Sequence, residues 1–260
     1  MDYPLFLVPH IGGGWLIGGI AIFHVIIAHF AIGGGLLMVA TEQIASRRND
    51  DFWLAFVRKH SLFLVLVSAV LGALSGVGIW FTIGLVHPAA TASLIRTFVW
   101  GWAIEWVFFV VELAAALLYV GTWDRTSRRT HLTIGWIYFV AAYFSLVVIN
   151  GIVAFMLTPG HWLETRAFWD GFFNPTYWPS LVLRTGIALT LAGAYGWLVT
   201  TRLPSNGARD GLVRYLAAWG VVGAAVAGLG FAWWAANIPA DARDLIFPAA
   251  GLLRSTYVIG

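Results

Sequence analysis

At 260 residues the chain is 60% hydrophobic and 16% aromatic, carries only 10% charged residues, and has a mean hydropathy of +0.82. A soluble domain needs about 25% charged residues to cover itself in water, so a soluble fold is excluded and the bilayer is the chain's main solvent. With no cysteine, disulfides, iron–sulfur clusters, thiolate zinc sites and covalent c-type haem are excluded too, and the net charge of +3 lies in short basic clusters that read as topology signals, with no nucleic-acid surface expected.

A helix needs about 20 apolar residues to cross roughly 30 Å of hydrocarbon. Six segments reach that length, approximately 14–41, 61–86, 98–122, 132–157, 178–200 and 213–237. The expected fold is therefore all-α: a polytopic membrane helix bundle of about six transmembrane helices in a single membrane domain. Residues 1–12 read as an exposed lead-in, and the first span is not a signal peptide, because it lacks a basic n-region and a small-residue cleavage site.

The loops alternate in charge. Ten of the fifteen basic residues fall in the first, third and fifth connections: Arg47, Arg48, Arg58, Lys59, Arg125, Arg128, Arg129, Arg202, Arg209 and Arg214. By the positive-inside rule these connections are cytoplasmic and both termini face outward. Residues 161–179, rich in Trp and Phe, are expected to cap the outer face at headgroup level. The outward tail, 238–260, holds one apolar run, Leu245 to Leu253, that is too short to span.

A charge at the bilayer centre costs at least about 2.5–3.5 kcal/mol, so each ionisable residue inside a span needs a reason. They are His24, His29, Glu105, Glu112 and Arg184, with Glu42 read as solvated at the cytoplasmic end of the first span. His24 and Glu105 both lie roughly 10–15 Å below the outer surface at 1.5 Å per residue. Glu112 follows Glu105 by two helical turns, on the same face and about 10 Å deeper. Arg184 also falls in the outer half. Histidine offers a neutral nitrogen to haem iron, a buried carboxylate can ligate weakly or relay protons, and arginine can pair with a propionate or a glutamate. The constellation therefore reads as a site that holds a metal or macrocycle and moves protons.

Plainer roles compete. An intramembrane histidine often serves as a hydrogen-bonded packing residue, the default for His29, which projects about 140° away from His24. His10, His60, His87, His131 and His161 read as surface residues. The fifteen Trp are mostly lipid-facing or interfacial, and the glycines, Gly33 to Gly35 among them, serve close helix contact.

From His24 through the sixth span the chain resembles subunit I of the cytochrome bd quinol oxidases. The carrying residues are His24 with Glu42 eighteen positions on, Gly72 to Gly76 (GALSG), and Glu105 and Glu112 followed by Gly121, Thr122, Trp123, Asp124 and Arg125. His131, Asn150–Gly151 and Asn174–Pro175 complete the pattern. The resemblance implies that His24 is an axial haem ligand (b or d type), that Glu105 lies beside the haem, and that Glu112 continues a proton path from the cytoplasm. It also implies a bacterial inner membrane and partner subunits. Two departures stand out: Arg184, before Thr185, occupies the place of a haem-ligating histidine, and the sequence ends after helix six, where the family has its quinol loop and further ligands.

Three functional readings follow. The first is a haem-binding subunit of a bd-oxidase-like respiratory complex with catalytic Glu105 and Glu112, cofactor contacts from His24, Arg184 and Glu105, membrane partners supplying the other helices, and a c-type cytochrome or other redox subunit as outer-face donor. The second is a cytochrome b-type anchor that moves electrons between quinone and an outer partner, with His29 or His161 as second ligand. The third is a haem-free scaffold or proton channel.

Overall fold

The structure, a computed structural model, describes residues 6–7, 9–10, 12–205 and 207–246. The apolar run expected in the tail lies almost entirely outside the described residues. Among the described residues there is no strand, and six helices are long and apolar enough to cross a membrane. In chain order these are α1 (Gly13–Arg48), the second span built from α2 (Asp51–Leu66) and α3 (Ala73–Val86), α5 (Val99–Gly121), α6 (Arg128–Phe155), α9 (Tyr177–Thr200) and α10 (Gly207–Asn237). Short helices α4 (Pro88–Thr97), α7 (Trp162–Thr165), α8 (Phe168–Phe172) and α11 (Ala240–Ile246) lie in the connections. A π-helical turn, Val67–Gly72, joins α2 to α3, and Ser68 Oγ donates to the Leu64 carbonyl there at 2.7 Å.

Local chemistry sets the boundaries. α1 ends where Asn49 adopts a left-handed conformation at φ 51°, and the Asp50 carboxylate caps α2 by accepting from the Trp53 amide at 3.1 Å. α6 starts behind Ser127, whose hydroxyl accepts from the Thr130 amide at 3.2 Å. α4 opens with Pro88 in its first turn.

Lipid tails are as apolar as leucine, so helices associate in a membrane by close packing over small residues. Gly33, Gly34 and Gly35 face three different neighbours, as a 100° step per residue requires. A Cβ at Gly33 would overlap the Ala188 carbonyl of α9, one at Gly34 would press on Leu64 of α2, and one at Gly35 would press on Tyr138 of α6. The α9–α10 pair uses the same device at heptad spacing. Gly186 meets Ala227 and Gly193 meets Gly220, while Gly223 and Gly230 meet the backbone at Thr190 and Leu183. Residue numbers rise on one helix as they fall on the other, so the pair is antiparallel.

α1 is the central strut, packing on α2, α3, α6 and α9, while α5 lies along α6. Burial along α1 is one-sided in depth. Nothing before Ile27 is buried, whereas Leu37, Met38, Val39, Thr41, Glu42 and Ala45 all are. On α1 the buried positions thus lie toward the end that carries the arginine-rich connections, while Phe98, Ile152, Phe172 and Tyr177 continue the core at the other end.

Candidate functional site

His24 sits on α1 just above the level where burial begins, and its Nδ1 lies 3.0 Å from Ser75 Oγ on α3. Ser75 is itself placed to donate to the Leu71 carbonyl at 2.5 Å or the Gly72 carbonyl at 3.1 Å. With its hydroxyl proton directed to a carbonyl, Ser75 accepts from Nδ1–H, and the Nε2 lone pair of His24 is left for a ligand. The imidazole has room because residue 76 is glycine: a Cβ there would stand 3.2 Å from its Cε1. The GALSG segment thus has a definite use, one small residue as floor and one hydroxyl as orienting partner.

Glu105 and Glu112 are half-buried on one face of α5. Ser145 Oγ of α6 donates to Glu105 Oε1 at 3.0 Å. Glu112 is within electrostatic reach of Glu105 and has no hydrogen-bond partner among the described residues. Of the two pairings open to Arg184, a propionate or a glutamate, the one with a glutamate is not made. Among the described residues Arg184 enters no ion pair, and it stands instead within electrostatic reach of His29, which also senses His24. His24 and Glu105 are held by separate serines, with no direct bond between them.

His29 is 1% exposed; its Nδ1 donates to the Val25 carbonyl at 2.6 Å and its Nε2 is enclosed without a partner. His29 is thus enclosed by the bundle's own side chains, the setting expected of a packing residue. His161 lies exposed in the connection before α7. No group of three or more His, Asp or Glu side chains among the described residues could hold a bare metal ion. A haem supplies four nitrogens of its own and asks the protein for one or two, which the single presented nitrogen of His24 fits.

Two expectations are corrected at the arginine-rich end. Glu42 is not solvated and His131 is not a surface residue; both are 0% exposed. Glu42 accepts from Tyr119 Oη at 2.6 Å, Arg128 Nη1 at 2.7 Å and His131 Nδ1 at 2.7 Å, while His131 Nε2 donates to the Tyr119 carbonyl at 2.8 Å. Trp123 stands edge-on to the His131 ring at 4.6 Å, with the Arg128 guanidinium 5.3 Å above Trp123. α1 continues to Arg48 instead of stopping near residue 41, which carries Glu42 inside the bundle, and the Ser127 cap starts α6 early enough to place His131 one turn within. His60, also read as a surface residue, is buried with 7% exposed. Arg58 pairs with Asp124, tying α2 to the connection that contains Trp123.

At the opposite end Asn150 and Asn174 work as staples. Asn150 Nδ2 donates to the Tyr177 carbonyl and accepts at Oδ1 from Ser180, each at 2.8 Å. Asn174 Nδ2 donates to the Gly151 carbonyl at 3.2 Å and the Gly171 carbonyl at 3.0 Å, fixing the aromatic connection onto α6 and α9.

The cytochrome bd terminal oxidase subunit I family model matches residues 15–236. The chain belongs to that family. A curated relative, the putative cytochrome bd menaquinol oxidase subunit I of Bacillus subtilis (strain 168), is 26% identical over 164 residues, covering 60% of this chain and 36% of the relative. Among solved structures, bd oxidase from Geobacillus thermodenitrificans superposes with a TM-score of 0.75 at 18% identity, over 86% of this chain and 54% of that one. At that identity the likeness is one of fold. The chain spans only about a third to a half of the lengths of these relatives. It is a subunit I-like multi-pass membrane protein. Thr185, next to Arg184 on α9, has its hydroxyl 3.2 Å from Tyr143 Oη of α6.

Proposed function

We propose that the chain is a haem-bearing subunit of a bd-oxidase-like respiratory complex in a bacterial inner membrane, with the arginine-rich connections in the cytoplasm. The observation that carries the proposal is His24: one ring nitrogen committed to Ser75, the other presented, and Gly76 making room for the ring. A bound haem, of b or d type, supplies the redox centre. His24 would hold its iron, with Ser75 fixing the tautomer and orientation of the ring. Arg184, a cation without an acidic partner among the described residues, would be available to pair with a haem propionate. Glu112, free of hydrogen bonds to described residues, carries protons from the cytoplasmic half toward Glu105, which Ser145 orients. Partner subunits supply the remaining helices. A c-type cytochrome or similar redox subunit donates electrons on the outer face.

The test is the haem content and the reduced-minus-oxidised spectrum of the purified protein and its His24→Ala variant. Wild type is expected to carry haem stoichiometrically and the variant to lose that signal. A wild-type protein without haem, or a spectrum unchanged by the substitution, refutes the proposal.

A further inference from the structure

The strongest concentration of uncompensated charge lies away from the His24 site, at the arginine-rich end of α1 and α6. There a groove of about 430 Å³ is lined by Gln43, Ser46, Arg47, Arg128, Arg129 and Trp136, together with Leu132 and Thr133. Three of these side chains are arginines, and no acidic residue lines the groove. Arg128 shares its charge with Glu42, whereas Arg47 and Arg129 enter no ion pair among the described residues. Polar capacity is left over as well. Gln43 Oε1 accepts from Trp136 Nε1 at 2.9 Å, which leaves the Gln43 amide hydrogens for another acceptor. Ser46 Oγ is buried without a hydrogen-bond partner.

These features fit an anion with several oxygens, and the groove's place decides which. It sits where two membrane-crossing helices meet the headgroup layer, beside the start of α6, whose amide end favours negative charge. Trp136 supplies an amphipathic ring of the kind that lodges between headgroup and acyl chain. Basic pockets between transmembrane helices on the cytoplasmic side recognise anionic headgroups. We propose that this groove is a binding site for the phosphodiester of an anionic phospholipid, held by Arg47 and Arg129 with hydrogen bonds from Gln43 and Ser46. The site is independent of the haem reading, because none of these residues touches His24, Glu105 or Glu112.

The test is native mass spectrometry of the whole purified protein, delipidated and offered phosphatidylglycerol or phosphatidylcholine with identical acyl chains. Wild type is expected to retain phosphatidylglycerol preferentially. Each exposed arginine contributes roughly fivefold, so Arg47→Gln with Arg129→Gln lowers retention about thirtyfold, and Arg129→Gln alone about fivefold. Arg202→Gln, on the same side but outside the groove, leaves retention unchanged. Arg47 and Arg129 are both exposed, so the variants keep the fold, and an unchanged melting curve verifies it. Equal retention of the two lipids, or wild-type retention by the double variant, overturns the proposal. So does displacement of the lipid by an equal concentration of inorganic phosphate, which would make the groove a free-anion site.

Discussion

Glu42→Ala removes the shared acceptor of three donors at once. Glu42 and His131 side chains are 0% and 1% exposed, so neither the imidazole nor Tyr119 Oη can turn to water when the carboxylate goes. Arg128, 39% exposed, can. Breaking a buried ionic pair by deleting one partner costs about 3–5 kcal/mol, and the escape of Arg128 places this case near the lower figure, about 3 kcal/mol. At about 2–4 °C per kcal/mol for a domain of this size, the melting temperature falls by about 6–12 °C. Tryptophan fluorescence during thermal unfolding in detergent reads this directly, and a double-mutant cycle makes it specific. His131→Ala with Glu42→Ala should cost less than the two single changes added, by at least about 1 kcal/mol. A melting point within about 2 °C of wild type for Glu42→Ala, or strict additivity in the cycle, refutes the buried pair.

Ser75→Ala frees Nδ1 of His24 and should weaken haem retention by about tenfold or more while leaving the protein folded, as loss of an orienting partner does at metal-bound histidines; unchanged retention in a haem titration argues that Ser75 does not orient the ligand. Glu112→Gln keeps the shape of a side chain that bonds to no described residue, so haem content should hold while turnover-linked proton uptake, followed with a pH-sensitive dye, drops by about a hundredfold. Wild-type uptake would remove Glu112 from the path. Because the chain has no cysteine, single replacements report topology cleanly. Glu164→Cys should react with a membrane-impermeant maleimide added to intact cells, and Arg202→Cys should react only after lysis; the reverse pattern inverts the orientation.

Much of the fold was legible because the bilayer imposes a length rule. Six apolar runs gave six crossing helices, and the glycines expected to serve close helix contact do so at Gly33 to Gly35. The ends of spans were harder to read. Glu42 looks solvated in sequence because it follows the last apolar residues of the first span, yet α1 continues for another turn and a half to Arg48 and carries the carboxylate inward. His131 looks superficial because Arg128 and Arg129 precede it. Whether a polar residue near a helix end meets water or another helix depends on where the neighbouring helices stop, which no local pattern encodes. One signal was available: Glu105, Glu112 and Tyr119 recur every seven residues on α5, so Tyr119 shares the face of the two glutamates and, with the Glu42 and His131 of the family pattern, marks a polar seam through the bundle. For Arg184 the sequence left a propionate and a glutamate both open; equal depth does not set azimuth, and Arg184 stands within electrostatic reach of His29 on α1 with no glutamate partner among the described residues.

The distribution of burial also bears on what covers His24. Along α1 full burial begins at Ile27, and Trp15, Leu16, Ile22, Phe23 and Ile26 above it are exposed. Either lipid or partner helices can cover those apolar side chains at no polar cost. Neither hydrocarbon nor leucine can satisfy the free nitrogen of His24 or the unbonded carboxylate of Glu112, and both groups are half-buried at depths where water is scarce. A chain that needed only lipid around this half would gain stability from apolar residues at both positions. Keeping a serine-oriented imidazole and a bare carboxylate there instead is physically consistent only if something polar or metal-bearing meets them, as the proposed haem and relayed proton would.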